Sequence, residues 1–76
     1  MENTLKTAFA DALGIEKEMI TDELTYNTID EWDSVAHMTL IGEIEDVFDI
    51  MLDTDDIINM SSFTKAKEII SKYVKQ

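Results

Sequence analysis

The chain has 76 residues with 17 acidic and six basic side chains, one His and no Cys, and its formal net charge is −11. Hydrophobic residues make up 45% of it, which predicts one small folded domain over 1–76 and argues against disorder. The missing Cys excludes disulfides and thiolate zinc sites, a single His excludes a multi-His metal centre, and no apolar run is long enough to span a membrane. Because the chain is strongly acidic and contains no Arg, it repels phosphate backbones, and we expect no nucleic-acid binding.

The first residues of the chain, Met1 to Thr4, are typical of neither a secretory signal nor a basic transit peptide. We therefore expect a free-standing cytoplasmic protein. A net charge of this size also favours a monomer, because copies of the chain repel one another.

An apolar stripe predicts a first helix over about 3–14. Its members are spaced at i, i+3, i+4, i+7 and i+8: Leu5, Ala8, Phe9, Ala12 and Leu13. Asn3 or Thr4 is the expected N-cap. Gly14 suits the left-handed position just past the helix end, with Ile15 making the apolar contact that follows it.

Residues 15–33 show no helical period and predict a long loop. Turn-forming side chains recur through it, and single apolar anchors are spread along it: Ile20, Leu24, Tyr26, Ile29 and Trp32. A loop of this length in a small domain is often functional. We expect it to lie across the helices, held by those anchors.

A second helix is predicted over about 34–49, with Asp33 or Ser34 as its N-cap. Its expected buried face consists of Leu40, Ile41, Ile44, Val47 and Phe48, with Met38 as a further candidate. Gly42 lies off this stripe and costs the helix about 0.5–1 kcal/mol relative to Ala.

Two more helices follow, the first of them short, over about 54–59, with Asp53 in the cap position and acids in its first turn. The last helix is predicted over about 62–75, capped by Ser61 or Ser62, with Lys72 and Lys75 near its C-terminal dipole. Its apolar positions are Phe63, Ala66, Ile69, Ile70, Tyr73 and Val74. The fold class predicted is therefore all-α: a small four-helix bundle with a long first loop and a short third helix.

The charges are segregated, because no basic residue lies between Glu18 and Thr64. Two interpretations stay open: a solvated face that keeps the protein in solution, or a docking surface for basic partners. Asp53, Asp55 and Asp56 do not predict a calcium site, since an EF-hand loop needs alternating oxygen ligands, a Gly at its sixth position and a Glu at its twelfth.

Ser34 and His37 are the residues that could carry chemistry. The simplest interpretation of Ser34 is a helix cap, and that of His37 is an exposed side chain in the first turn. A hydrolase using a Ser34–His37 pair is a weaker alternative, because no third orienting group or oxyanion hole can be identified.

The start of the predicted second helix reads Asp33-Ser34-Val35, and the helix continues with Met38, Leu40, Ile41, Ile44, Glu45, Asp46 and Phe48-Asp49. This segment resembles the signature of the acyl carrier proteins. The resemblance extends over essentially the whole chain, from the first helix through the long loop to the fourth helix. It implies that a phosphopantetheinyl transferase attaches 4′-phosphopantetheine from coenzyme A to Ser34. The thiol of that arm would hold an acyl or aminoacyl group as a thioester, so the protein would be a carrier and not an enzyme.

The resemblance also implies partners with basic patches, namely enzymes that load or transfer the acyl or aminoacyl group. We expect Asp33, Val35, Glu45 and Asp46 to dock them. The main alternative from another class is an unmodified acidic helical adaptor, which would not need Ser34.

The apolar residues of the second and third helices allow two interpretations. Six apolar residues either line a space between the second and third helices, which an acyl chain can enter in this family, or fill the core: Met38, Leu40, Ile44, Ile57, Ile58 and Met60.

The carriers of fatty-acid synthesis usually have acids where this chain has Ala36 and Thr39, and a large apolar residue where it has Gly42. We therefore expect a specialised carrier that serves a dedicated pathway.

Overall fold

The order of elements in the computed structural model, which describes residues 2–74, is helix, loop and three further helices. The helices are α1 (Glu2–Leu13), α2 (Ser34–Phe48), α3 (Thr54–Asn59) and α4 (Phe63–Tyr73). Within residues 2–74 the only extended pairing is an isolated antiparallel bridge between Thr25 and Ser62. The predicted all-α fold with a short third helix is confirmed. No helix in the described range is long and apolar enough to cross a membrane.

The end of α1 follows the prediction, whereas its start does not. Gly14 has φ +69°, and its N–H and that of Ile15 both bond to the Ala10 carbonyl, which closes the helix. Asn3 and Thr4, predicted as caps, lie inside the first turn because the helix already begins at Glu2.

The buried face of α2 is narrower than its apolar residues suggest. Leu40, Ile41 and Ile44 are buried, and Phe48 packs at the edge of the core. Val47 is 43% exposed, so the prediction that it is buried is wrong, and Met38, the further candidate, is 60% exposed and does not join the buried face. The helix carries apolar side chains on more than one face, and its packing partners cover only one of them.

The long loop lies across the helices, as predicted, and joins the segment between α3 and α4. Ile20, Leu24 and Trp32 are buried in the core. The Tyr26 N–H bonds to the Ser61 carbonyl at 2.8 Å. One feature was not predicted, a short 3₁₀ turn at Lys17–Met19 with no buried residue. Because its side chains face solvent, no apolar period marks it.

The two last helices, α3 and α4, differ in how their N-termini are capped. The Ser62 hydroxyl caps α4 by accepting the Lys65 N–H at 3.0 Å, as one of the two predicted caps. Asp53 stands at the N-cap of α3, but its side chain makes no capping bond. The last helix ends at Tyr73, and Lys75 lies outside the described residues.

Three aromatic rings occupy the centre of the core. Phe9 packs edge-on against Trp32, with 5.4 Å between ring centroids, and against Phe63, at 5.1 Å. All three side chains have no exposed area. One ring each from α1, the long loop and α4 therefore holds these elements together, which fixes where the loop enters α2.

Candidate functional site

Ser34 is the first residue of α2 and is exposed to solvent. The capping role belongs to Asp33, whose Oδ1 accepts the Ala36 N–H at 2.8 Å, while its carbonyl accepts the His37 N–H. Of the two residues predicted as the cap, the structure therefore uses Asp33. The hydroxyl of Ser34 is left without a capping task at the positive end of the helix dipole.

An apolar cleft of about 360 Å³ opens beside Ser34, between the start of α2 and α3. Its lining includes four of the six residues predicted to line an interior space: Met38, Ile57, Ile58 and Met60. The other two, Leu40 and Ile44, are fully buried and lie in the core instead. Tyr26, predicted as a loop anchor, and Ser61, predicted as a candidate cap of the last helix, also line the cleft.

His37 links the long loop to α3, which contradicts the prediction of an exposed side chain. The Trp32 indole N–H donates to His37 Nδ1 at 3.0 Å, and His37 Nε2 lies 2.9 Å from the Ile57 carbonyl oxygen. Since an indole N–H can only donate and a carbonyl can only accept, the imidazole carries its proton on Nε2. We call this arrangement of Trp32, His37 and Ile57 the clasp.

The clasp removes the basis for a Ser–His nucleophile. Both nitrogens of His37 are already bonded, so neither is free to accept the proton of the Ser34 hydroxyl. The hydrogen bonds among residues 2–74 include none between the two side chains. The structure therefore gives no support to a hydrolase that uses Ser34 and His37.

The predicted docking residues differ in how free they are. Val35 is 75% exposed, and Asp46 is exposed on the same face of α2, about three turns further along the helix. Asp33 is exposed, but one carboxylate oxygen caps the helix. Glu45 is half-buried, and its Oε2 accepts the Leu52 N–H at 3.0 Å, so it also holds the link between α2 and α3.

Two carboxylates away from the cleft accept hydrogen bonds from side chains of α4. Hydrogen bonds from the Tyr73 hydroxyl and then from Lys72 lower the pKa of Asp56 below its ordinary value. The same contact raises the pKa of Tyr73. A bond from the Lys67 ammonium, at 2.8 Å, lowers the pKa of Asp22 and ties the long loop to α4. Neither carboxylate reaches Ser34, so we assign both a structural role.

Comparison with known proteins decides the family. The model of the phosphopantetheine attachment site family matches residues 3–68. The chain belongs to that family. It is also similar to proteins named acyl carrier protein from Streptococcus pyogenes serotypes M1 and M3, with 43% identity over 47 residues in each case. Those matches cover 62% of this chain and 62% of the length of each relative.

Membership in the phosphopantetheine attachment family implies a covalently attached 4′-phosphopantetheine. The residues around Ser34 fit such a group. The hydroxyl is exposed, a phosphodiester formed on it would lie at a helix N-terminus, and the N–H groups of Ser34 and Val35 have no acceptor within the helix. The cleft beside them offers an apolar wall.

Proposed function

We propose that Ser34 is the attachment residue, and that the protein carries acyl or aminoacyl groups in the cytoplasm for the enzymes of a dedicated pathway. The observation that carries the proposal is an exposed hydroxyl at the start of α2, free of capping and free of His37, inside the segment matched by the family model. The protein itself catalyses no step.

Attachment exchanges one phosphorus–oxygen bond for another. The Ser34 oxygen bonds to the phosphorus that carries the pantetheine, the diphosphate bond of coenzyme A breaks, and adenosine 3′,5′-bisphosphate leaves. The phosphopantetheinyl transferase takes up the hydroxyl proton, since no basic side chain of this chain contacts Ser34 among the described hydrogen bonds. The arm supplies a thiol that holds its cargo as a thioester.

The acidic stretch supports partners with basic patches. Docking through Asp33, Val35, Glu45 and Asp46 combines one exposed apolar side chain with three carboxylates, one beside the attachment residue and two about three turns further along α2. Such a surface raises association rates and makes them sensitive to salt. Replacing Val35 or Asp46 should weaken partner binding more than replacing Glu45, because the Glu45 carboxylate is partly engaged by Leu52.

Dedication to one pathway is supported by the surface of α2. Thr39 and Gly42 are exposed where carriers of fatty-acid synthesis usually have an acid and a large apolar residue. Nothing lies within 4 Å of a Cβ built on Gly42, so a docking side chain is missing there and not merely replaced by a neighbour. Efficient use of this carrier by general fatty-acid elongation enzymes would contradict the proposal.

The test is the intact mass of the protein after incubation with coenzyme A and a broad-range transferase. Wild type should gain the mass of one arm, and Ser34→Ala should gain none. Ser61→Ala is the matched control, because Ser61 is another exposed serine lining the same cleft. No gain in wild type would favour the unmodified acidic adaptor, and a gain that persists in Ser34→Ala would place the arm elsewhere.

A further inference from the structure

The clasp joins three separate parts of the chain beside the attachment residue. Trp32 comes from the end of the long loop, His37 from the first turns of α2, and Ile57 from α3. The imidazole lies edge to edge with the Trp32 ring and nearly in its plane, with centroids 6.0 Å apart and planes 21° apart, and it contacts the Tyr26 ring edge-on. His37 is therefore held by two hydrogen bonds and two aromatic neighbours in a single orientation.

The position of the clasp separates the cleft from the core. His37 and Ile57 line the cleft, and their hydrogen bond crosses from α2 to α3. Leu40, one turn further along α2, and Ile44, two turns further, have no exposed area and belong to the closed core. A chain entering the interior between α2 and α3 would have to pass the bond that joins these helices.

The cleft on the solvent side of the His37–Ile57 bond is large enough to hold a small apolar group. Small-molecule pockets are about 300–1,000 Å³, and at about 360 Å³ this cleft lies near the lower end. Its walls are largely apolar, with Met38 and Ile58 at 60% and 71% exposure. An acyl group tethered at Ser34 can lie along such a surface site without entering the core.

We propose that His37 is the specificity-determining residue for cargo length: the clasp closes the seam between α2 and α3, so the carrier shelters short acyl groups in the cleft and keeps long chains out of its core. The proposal rests on attachment at Ser34, because a tether at the rim of the cleft is what brings the acyl group there.

The experiment compares butanoyl, hexanoyl and tetradecanoyl forms, prepared from the corresponding acyl-coenzyme A with the transferase and verified by mass. Methyl NMR shifts and melting temperatures are measured for each form. In wild type, the butanoyl and hexanoyl groups should shift the methyl signals of Met38 and Ile58. The tetradecanoyl group should leave Leu40 and Ile44 unshifted and should raise the melting temperature no further than hexanoyl does.

His37→Ala opens the seam, so its tetradecanoyl form should shift Leu40 and Ile44 and melt higher than its hexanoyl form. His37→Gln is the conservative variant, because an amide can accept from Trp32 and donate to Ile57, and it should behave as wild type. Thr39→Ala is the control on the same helix, since its hydroxyl contacts only the Val35 carbonyl. The wild-type series by itself tests whether long chains are kept out between α2 and α3, so this test holds even where His37→Ala does not fold.

Each outcome decides something separate. If Leu40 and Ile44 of wild type shift progressively as the chain lengthens, the closed seam is refuted while attachment at Ser34 stands. If wild type excludes the long chain and folded His37→Ala excludes it equally, His37 does not set the limit. If no arm is added to Ser34 at all, the proposed function fails, and the cargo limit fails with it.

Discussion

Removing the imidazole of the clasp should destabilise the fold by an amount that the structure allows to be worked out. In His37→Ala the Trp32 indole N–H, on a side chain with no exposed area, loses its acceptor. A buried donor left unpaired costs about 1–3 kcal/mol, and loss of the edge-to-face contact with the Tyr26 ring adds about 0.5–1.5 kcal/mol. The Ile57 carbonyl adds little, because Ile57 is only half-buried and water can replace the donor.

The expected loss in the free energy of unfolding is therefore about 1.5–4.5 kcal/mol. A chain of this length has a total of about 4–11 kcal/mol, so the variant should lose a large part of its stability. Urea unfolding followed by far-ultraviolet circular dichroism measures the loss. His37→Gln, which can make both hydrogen bonds, should lose clearly less than His37→Ala.

A double-mutant cycle separates the hydrogen bond from simple loss of volume. Trp32→Phe keeps an aromatic ring but removes the indole donor, so replacing His37 in that background no longer leaves an N–H unpaired. The cost of His37→Ala should fall there by about 1–2 kcal/mol. If the stability losses of the two single mutants add up to the loss of the double mutant within about 0.3–0.5 kcal/mol, the assignment of Trp32 and His37 as hydrogen-bond partners is refuted.

Three further predictions concern stability. Gly42→Ala should raise the free energy of unfolding by about 0.5–1 kcal/mol in urea, since Ala favours the helix and its Cβ meets nothing within 4 Å; a loss would mean the position is not open. Asp22 and Asp56 have pKa values lowered by Lys67 and by Tyr73, so the stability they add is present above their ordinary pKa of 3.8 and is lost as the pH falls through the folded value. Acid titrations of Asp22→Asn and Asp56→Asn should therefore show a shallower fall in stability below about pH 4 than wild type, and parallel curves would contradict this. Raising salt from low ionic strength to about 0.15 M should raise the melting temperature, because it screens the self-repulsion of a chain with net charge −11; a lower melting temperature would count against that.

The helices α1, α2 and α4 were predictable because each buries one regular stripe, whereas α3, which has no buried residue, was predicted from its cap position and the acids of its first turn. The bounds of α3 match the prediction, and those of α2 differ by one residue at the C-terminal end, where Asp49 takes a left-handed φ of 55°. The error on Val47 has a different cause. Periodicity identifies apolar side chains on a helix, but which of them are covered depends on where the neighbouring elements pack.

The site was predictable only in part, for reasons of the same kind. Ser34 was singled out by the Asp-Ser-aliphatic motif at a helix start. The clasp was not, because Trp32 lies in a loop without a period and Ile57 contributes a backbone carbonyl, which leaves no trace in the side-chain pattern. Its effect on His37 is large: a residue predicted to be exposed becomes the link between the loop, α2 and α3.

The position of the arm on the chain is the most direct test of the carrier assignment. The protein should be purified from a host that has a phosphopantetheinyl transferase, cleaved, and sequenced by fragment mass spectrometry. We predict a single phosphopantetheine, located on Ser34 within the peptide that contains Trp32 and His37. A fully unmodified peptide from such a host, or a modification on any other serine, would contradict the account.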